Sequence, residues 1–362
     1  MLTSRWVKRL NTAETRSTHH GPGAYVRCRG RRGVSTATVS MVLSGAGSDR
    51  ISPQTQARVR EAAKAAGYAP NSVARSLRTQ RTRTIGLISD TIATTPFAGR
   101  MLAGANDVAR DHGHLVILVN TDDDAEQERK AILALVGQQV DAMLYARMWH
   151  RAVDAPGLPA GTVFLDCRPT EGGWPAVVPD DRQGGASATR ELVAAGHRRI
   201  AYVDAPNPDE VVASELRHQG YLEVLAESGI TPDPALHVRA ATDAAGGRAA
   251  VEELLDLPTS RRPTAIFCFN DRMAMGAYTA AHRRGLAIPD DLSIVGYDDQ
   301  QLIASELDPP LTTVALPHYE MGRWAMEVAL GLRESDRDNP LLMNCPIIRR
   351  DSVGPPPITA GN

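Results

Sequence analysis

Residues 85–362 alternate short apolar runs with stretches of helical periodicity, and this alternation constrains the fold more than any other feature of the chain. Seven of the apolar runs have the composition of buried parallel strands. They span residues 85–89, 115–119, 142–145, 163–165, 200–203, 265–269 and 294–296. Strands that alternate with helices form doubly wound α/β sheets, and a stretch of this length suits two such lobes. We therefore predict a two-lobed α/β body.

Polar residues stand at the ends of strand-like runs, where doubly wound sheets bind their ligands. The residues concerned are Asp90, Asp180 and Asp181, Asn270 and Asp271, and Asp298 and Asp299. Each has a second interpretation, because Asp or Asn after a strand often caps the following helix. For Asp271 we expect capping alone. Because these polar residues all stand at strand ends, we predict that they converge on a polar ligand-binding cleft.

The charge of the chain is divided unevenly at Thr84, although the net charge is only −2. Residues 24–84 hold 12 Lys and Arg against 2 Asp and Glu, whereas residues 85–362 hold 24 against 39. A small basic segment before a large acidic one is typical of a module that binds a polyanion such as nucleic acid. The alternative is a solvated basic tail.

No apolar run approaches the length of a membrane span, and residues 1–21 lack the apolar segment of a secretion signal. We therefore expect a cytoplasmic protein with no membrane contact. The cysteines are Cys28, Cys167, Cys268 and Cys345, and none of them forms a Cys-x-x-Cys pair. This spacing predicts neither a zinc site nor a disulfide framework, and we expect no cofactor.

The basic segment contains three helix signals. Ser35 is a helix N-cap residue, and Val39, Val42 and Leu43 follow it at helical spacing. A second helix is predicted to begin after Ser52, with a proline at its first position. A third, short helix over residues 71–78 follows Pro70 and has the character of a hinge.

The strings VSTATVSMVLSG and GYAPNSVARSLRT resemble the head of the lactose/galactose-repressor family, which is a helix-turn-helix, a third helix and a hinge helix. The resemblance implies that the helix after Ser35 enters the major groove, with Thr36, Ala37 and Met41 reading bases. The implied DNA-binding set is Ser35, Thr36, Ala37, Thr38, Ser40, Met41, Asn71, Ala74, Arg75, Leu77 and Arg78. Thr38 and Ser40 would reach phosphates, and Met41 would contact an apolar group such as a thymine methyl.

Leu77 stands where the family wedges a leucine into the minor groove. The alternative interpretation is that Leu77 packs as an ordinary helix residue. A helix this short has little core of its own, which favours the wedge.

The residues before Val34 depart from the family pattern. An apolar helix of the type Asp-Val-Ala is expected there, but the chain has AYVRCRGRR at residues 24–32. These residues cannot present an apolar face, so Val39 and Leu43 would lack a partner. We hypothesise that residues 1–32 are translated in the wrong frame, since GC-rich alanine codons read one base out give Arg and Gly. The alternative is a true divergence that impairs DNA binding.

The resemblance continues through AGHRRIAYV, FNDRMAMGAYTAAHRRGLAIPDDLSIVGYDD and PPLTTVALPHYEMGRWA. It implies a body of the type I periplasmic-binding-protein kind, with two lobes, three chain crossings and an effector between the lobes. The implied domains are residues 1–32, an anomalous N-terminus; 33–70, the helix-turn-helix; 71–84, the hinge; and 85–362, the body for effector binding and dimerisation.

The resemblance also implies a set of effector-binding residues. Arg217, Asn270 and Asp298 match effector-contacting positions, and Asp90, Phe97 and Asp181 line the same cleft by position. Carboxylate, amide and guanidinium groups suit the vicinal hydroxyls of a sugar or nucleoside. Residues 95–98 carry one aromatic ring where the family has two, and Ala241 stands where the family has an aromatic wall, which favours a sugar over a stacked purine.

These observations predict a transcription regulator, in its most direct form a repressor. A homodimer would bind a near-palindromic double-stranded DNA operator, and the effector would change the order of the hinge. One alternative is a protein of the same body fold that only binds a solute or is defective in DNA binding. Another is an enzyme that uses Asp298 and Asp299 as acid and base. Neighbours on a strand point to opposite faces, which argues against the enzyme.

Overall fold

A computed structural model describes residues 35–44, 48–65, 81–92, 99–148, 150–154, 156–206 and 212–357. The chain divides into two compact units, Met1–Thr82 and Arg83–Asn362. The predicted hinge residues Asn71, Ala74, Arg75, Leu77 and Arg78 lie outside the described residues, as do Phe97 and all of residues 1–32.

The first unit contains helices α1, Thr36–Ser44, and α2, Pro53–Ala65, with a short 3-10 helix at Ser48–Arg50 between them. Ser35 caps α1, because its Oγ accepts a hydrogen bond from the Thr38 N–H at 3.1 Å. Ser52 is placed in the same way before α2, with its Oγ 3.4 Å from the Thr55 N–H. The two predicted helix starts are thus found in the structure.

The core of this unit is small. Val39 and Val42 from α1 are buried with Val59 from α2, and Leu43 and Ile51 pack against them. The expectation that Val39 and Leu43 lack an apolar partner was therefore wrong, because α2 turns Val59 towards them.

The first lobe of the body is built on a parallel six-stranded sheet in the order β13-β7-β5-β3-β1-β2. Its strands are β1 (Thr84–Ser89), β2 (Leu115–Asn120), β3 (Ala142–Ala146), β5 (Val163–Leu165), β7 (Ala176–Pro179) and β13 (Leu341–Met343). Helices α3 (Gly99–Asp111) and α9 (His318–Ala329) pack on one face, and α4 (Ala125–Gly137) packs on the other. The short strands β4, Ala152–Val153, and β6, Arg168–Pro169, pair beside this sheet.

The second lobe has a sheet in the order β14-β12-β11-β10-β8-β9, parallel except for β14. Its strands are β8 (Ile200–Asp204), β9 (His237–Arg239), β10 (Ala265–Cys268), β11 (Ser293–Asp298), β12 (Thr312–Ala315) and β14 (Ile347–Ile348). Helices α5 (Asp181–Ala194), α6 (Val212–Glu227), α7 (Ala244–Asp256) and α8 (Asp271–Arg283) cover it. A short 3-10 helix, Pro234–Leu236, precedes β9.

The chain crosses between the lobes three times within the described residues. The crossings join β7 to α5, β12 to α9, and β13 to β14. The predicted two-lobed fold with three crossings is confirmed. The crossing residues Pro179 and Leu316 both lie between the lobes, at the cleft described below.

The apolar runs seen in the sequence form the sheets' buried interior. Ile85, Leu87 and Ile88 of β1 are fully buried, as are Ile266 and Phe267 of β10. Cys167, Cys268 and Cys345 are buried too, and burial raises the pKa of each thiol well above its ordinary value. In the part of the chain that the structure describes, no helix has the length and apolar character to cross a membrane.

Candidate functional site

A narrow cavity lies between the two lobes, at the carboxyl ends of several strands. Its volume is about 10 Å³, roughly the space that one water molecule occupies. It is lined by Met148, His150, Asp166, Pro179, Asp181, Ala213, Arg217, Asp298 and Leu316. Five of these nine residues carry ionisable side chains, so the lining is far more polar than the core around it.

Asp181 and Arg217 form the buried centre of the site. Asp181 is the first residue of α5, and its Oδ1 accepts a hydrogen bond from Nε of Arg217 on α6 at 2.9 Å. The two helices can approach this closely because residue 185 is glycine, where a Cβ would lie 2.3 Å from the carbonyl oxygen of Arg217. Burial opposes the charge on Asp181, but Arg217 and His150 outweigh it and hold the pKa of this carboxyl below its ordinary value.

Aromatic rings fix the guanidinium of Arg217 in place. It lies 3.5 Å from the centre of the Tyr297 ring and 4.4 Å from that of Phe269. Its NH1 also donates to the carbonyl oxygen of Phe269 at 2.6 Å. Burial lowers the pKa of Arg217, but the neighbouring acidic groups, Asp181 first among them, raise it by more. The pKa therefore lies above its ordinary value, and the side chain stays charged.

Asp298 completes the wall of the second lobe. It ends β11 with a φ of 107°, in the left-handed region, and its Oδ1 lies 3.8 Å from NH1 of Arg217. Its Oδ2 accepts a hydrogen bond from Nε2 of Gln300 at 2.9 Å. Burial raises the pKa of Asp298 to about 6, an effect that Arg217 offsets only in part.

The first lobe contributes three residues that the sequence reasoning missed, namely His150, Asp166 and His318. Nδ1 of His150 lies 3.2 Å from Oδ2 of Asp181, so this contact joins the two lobes. Asp166 directly follows β5, and its Oδ2 is 3.6 Å from Nε2 of His318, the first residue of α9. Asp166 was detectable, because it obeys the same strand-end rule that singled out Asp90.

Asp90 and Asn270 are buried near the strand ends but are not part of the cavity lining. Asp90 accepts hydrogen bonds from the backbone N–H groups of Thr91 at 2.6 Å and Met148 at 3.1 Å. Asn270 caps α8 through the Met273 N–H at 2.8 Å and donates to the carbonyl oxygen of Thr242. The structure therefore brings Asp181, Arg217 and Asp298 together, whereas the side chains of Asp90 and Asn270 form hydrogen bonds with backbone groups.

Asp271 does not cap α8, contrary to the expectation from sequence, because Asn270 occupies the cap position. The carboxylate of Asp271 is buried beneath the cleft, where it accepts hydrogen bonds from the Gln300 N–H at 2.7 Å and the Thr313 hydroxyl at 2.6 Å. Burial and the neighbouring Asp298 raise its pKa well above the ordinary value. Asp271 thus helps to hold Gln300, which in turn contacts Asp298.

The predicted base-reading helix α1 presents Ala37, Ser40 and Met41 as exposed residues. Thr38 is half-buried, and its hydroxyl lies 2.9 Å from that of Ser35. The side chain of Thr36 lies outside the described part of the chain. Within the described ranges, no group of three His, Cys, Asp or Glu side chains is arranged to hold a metal ion.

Comparison with known protein families identifies both units. Residues 31–71 match the family described as bacterial regulatory proteins, lacI family. Residues 189–353 match the family described as periplasmic binding protein-like domain. The two matches correspond to the head and to most of the second lobe of the body.

Individual relatives extend the similarity to nearly the whole chain. The HTH-type transcriptional repressor CytR of Escherichia coli K12 is 36% identical over 326 residues, which cover 88% of this chain and 93% of that protein. The ribose operon repressor of Haemophilus influenzae is 34% identical, with 88% and 95% covered. A solved LacI-family regulator from Rhizobium etli has a TM-score of 0.69 and 33% identity, covering 76% of this chain and all of that one.

Proposed function

Because the chain belongs to the LacI family of bacterial regulatory proteins, we propose that it binds an operator through α1 and senses a sugar-like effector through the cleft. It is a DNA-binding transcription regulator with an effector-binding body of the periplasmic-binding-protein type. The observation that carries the effector proposal is the buried group of Asp181, Arg217 and Asp298 between the lobes.

The chemistry of this group supports a polyhydroxylated effector. Arg217 can donate to ring or hydroxyl oxygens, while Asp298 can accept from hydroxyl hydrogens. The pair thus matches vicinal hydroxyls, which donate and accept at neighbouring positions. The similarity to a ribose operon repressor agrees with a sugar, although that name describes the relative.

In this proposal the effector regulates operator binding because it contacts both lobes. An effector that binds one lobe arrangement more tightly than the other shifts the population of the two arrangements. A coupling of about 1–3 kcal/mol changes operator occupancy several-fold to about a hundredfold. The hinge that we assign to residues 71–84, with Leu77 as a minor-groove wedge, would transmit the change to the DNA.

The operator-binding form is a homodimer in this proposal. The edge strand β2 of the first lobe exposes Leu115 and Ile117, at 65% and 36% of their surface. A long apolar edge strand invites pairing with another chain unless something covers it. A second copy of the chain, related by a two-fold axis, would cover this edge and match the symmetry of a palindromic operator.

Residues 1–32 are the part of the head that departs from the family pattern. The match to the lacI family begins only at residue 31, which supports the hypothesis of a wrong reading frame before Val34. The nucleotide sequence decides: a neighbouring frame should encode an apolar helix of the Asp-Val-Ala type. If no frame does, the divergence is real and DNA binding is impaired.

We assign no enzymatic activity to the cleft and place the protein in the cytoplasm with the DNA. Asp298 faces the cavity, whereas Asp299 pairs with Arg350, with 2.7 Å between Oδ1 and NH2. Two carboxylates that face different partners do not flank one bond, as acid and base catalysis would need.

The proposal is tested by selecting duplexes from a random DNA library with the full chain, using both the present N-terminus and a frame-corrected one. We expect one near-palindromic site to be enriched, with an affinity that falls steeply as salt rises. Asp298→Asn should keep operator binding and lose its response to ribose. If neither form of the chain prefers any duplex over random DNA, the proposal fails.

A further inference from the structure

We infer that Asp141 is a positioning residue for operator binding, because its carboxylate fixes the direction in which the chain enters the body from the hinge. The inference rests on the operator binding proposed above and adds a body residue that acts on it through Arg83. Arg83 is the first residue of the body unit and lies within the hinge that we assign to residues 71–84. A contact that orients Arg83 therefore orients the end of the hinge.

Asp141 stands at the amino end of the first-lobe sheet, where three neighbouring strands begin. Strand β1 lies between β2 and β3 and is parallel to both, with Thr84 paired to Leu115. The residues that directly precede the three strands lie at this edge, and they are Arg83, His114 and Asp141. The effector cleft is at the opposite end of the sheet, so effector binding and hinge orientation can be tested apart.

Hydrogen bonds on both sides of Arg83 carry the inference. Its N–H donates to Oδ2 of Asp141 at 3.0 Å, and its carbonyl oxygen accepts from the Leu115 N–H at 2.9 Å. The N–H of Asp141 in turn donates to the carbonyl oxygen of Thr84 at 2.7 Å. Both peptide groups of Arg83 are thereby held. The orientation of the preceding peptide group, which leads towards the hinge, is set by the carboxylate of Asp141.

The backbone of Arg83 has a conformation that needs this support. Its φ of 56° lies in the left-handed region, which is unfavourable for a residue with a Cβ. Residues in such conformations persist where the surrounding structure determines them, and they are concentrated at functional sites. Arg83 is exposed, so hydrogen bonds rather than burial hold its conformation.

The carboxylate of Asp141 is itself held in place. Its side chain is 15% exposed, as is that of His114, whose Nε2 lies 3.6 Å from the same Oδ2. Water therefore competes only weakly for this carboxylate, and an ionised acceptor makes a stronger hydrogen bond than a neutral one. Asp141 thus keeps the direction of chain entry constant relative to the first lobe, so a rotation of the lobe reaches the hinge.

The charge of Asp141 allows positioning to be separated from electrostatics. Replacing this anion with a neutral residue should, by charge alone, strengthen binding to the DNA polyanion. We expect the opposite for Asp141→Ala, because it removes the acceptor that orients Arg83. Asp141→Asn removes the same charge but keeps a side-chain oxygen that can accept from the Arg83 N–H. It should bind the operator at least as tightly as the native chain.

The test uses the form of the full chain that enriches a duplex from the random library, with that duplex as the probe. Asp141→Ala should lower the affinity for it by about tenfold and leave the affinity for random duplex DNA unchanged or raised. The slope of operator affinity against salt concentration should stay the same, because no phosphate contact is lost. An effect on direct DNA contacts would change this slope.

Asp233→Ala is the matched control in the second lobe. Oδ1 of Asp233 accepts from the Ala235 N–H at 2.9 Å, and Oδ2 pairs with Arg261 at 2.9 Å. This variant removes the same charge and the same kind of hydrogen bond as Asp141→Ala. Both should lower the melting temperature by about 2–4 °C, but the operator affinity of Asp233→Ala should not fall.

Each outcome decides the inference. Native operator affinity in Asp141→Ala, or an equal loss in Asp141→Asn or Asp233→Ala, overturns it and leaves the proposed function standing. If the native chain enriches no duplex with either N-terminus, the proposed function fails and the inference fails with it. If Asp141→Ala does not fold, Asp141→Ser takes its place. The serine hydroxyl is one bond too short to reach the Arg83 N–H, so the same loss of affinity is expected.

Discussion

His150 and Asp181 meet across the cleft, with 3.2 Å between Nδ1 of the imidazole and Oδ2 of the carboxylate. His150 follows β3 of the first lobe, and Asp181 begins α5 of the second. The contact therefore joins the first lobe to the second. Both side chains are buried, at 5% and 0% exposure, so water does not compete for the contact.

Replacing His150 with Ala should let the lobes separate. Asp181 keeps Arg217, so the free energy of unfolding should fall by only about 1–2 kcal/mol. We expect small-angle X-ray scattering to give a larger radius of gyration for His150→Ala than for the native chain. His114→Ala, which removes the contact of 3.6 Å between Nε2 of His114 and Oδ2 of Asp141 within the first lobe, should leave the radius unchanged. Equal radii of gyration for all three proteins would contradict the role of His150 in holding the two lobes together.

Arg217→Met should destabilise the body strongly, because it leaves Asp181 as a buried charge that has lost its main partner. The expected loss is about 3–5 kcal/mol in urea unfolding. Arg349→Met is the control: Arg349 Nε also lies 2.9 Å from a carboxylate, that of Glu191, but its side chain is 70% exposed. We expect a much smaller loss for Arg349→Met, because water screens this exposed pair. Similar losses for the two variants would show that burial of the Arg217 pair is unimportant.

The stability of the protein should depend on pH through Asp298. Its pKa is about 6 in the folded chain, against 3.8 without the fold, so the folded state binds more protons between these values. Stability due to this group is therefore highest below pH 4 and is lost as the pH rises to 6. Asp298→Asn removes the effect, so its stability relative to the native chain should rise by up to about 3 kcal/mol over that range.

Urea unfolding of both proteins at pH 4.5, 5.5 and 6.5 measures this difference. Comparing the variant with the native chain at each pH cancels the carboxyls that do not interact with Asp298, whereas Asp271, whose pKa Asp298 raises, titrates together with it and contributes to the same difference. A constant difference would mean that Asp298 is not held at a raised pKa.

Gly184 in α5 should not tolerate a side chain. A Cβ there would lie 2.1 Å from the hydroxyl of Tyr297, the residue that packs on Arg217. Gly184→Ala should cost about 1–3 kcal/mol by moving this ring. Gly137, at the end of α4, has no atom within 4 Å of such a Cβ, so Gly137→Ala should be stabilising by about 0.5 kcal/mol. Thermal unfolding of both variants tests the contrast, and a gain in Gly184→Ala would refute it.

Charges on β2 should break the proposed dimer. Leu115→Lys with Ile117→Lys places two cations on the exposed edge, and sedimentation velocity should then show a monomer. The double change Leu341→Lys and Leu342→Lys on β13, the opposite edge of the same sheet, is the control and should remain dimeric. A dimer that survives the β2 changes would place the interface elsewhere.

The sheets were predictable because their strands are continuous apolar runs, such as residues 85–89 and 265–269. Short elements such as β4 and β6 have two residues each and no periodicity that distinguishes them from loops. They form only because β3 and β5 lie side by side in the sheet and bring the following loops together.

Part of the site was predictable because the apolar runs also show where each strand ends. Strand ends and family resemblance pointed to Asp181, Arg217 and Asp298, which the fold does bring together. Asn270 obeys the same strand-end pattern, but its side chain serves the helix cap. His150 stands four residues beyond β3, and only the folded loop reveals that it reaches Asp181 in the other lobe.

The three crossings have a consequence for how such a protein changes over generations. Neither lobe is encoded by one uninterrupted stretch of gene, so a single recombination event cannot exchange an intact sensing half between relatives. Likewise, a proteolytic nick at one crossing leaves the halves tethered by two others. Innovation in what the protein senses must therefore come from substitutions on the facing walls, with the pair of lobes inherited together.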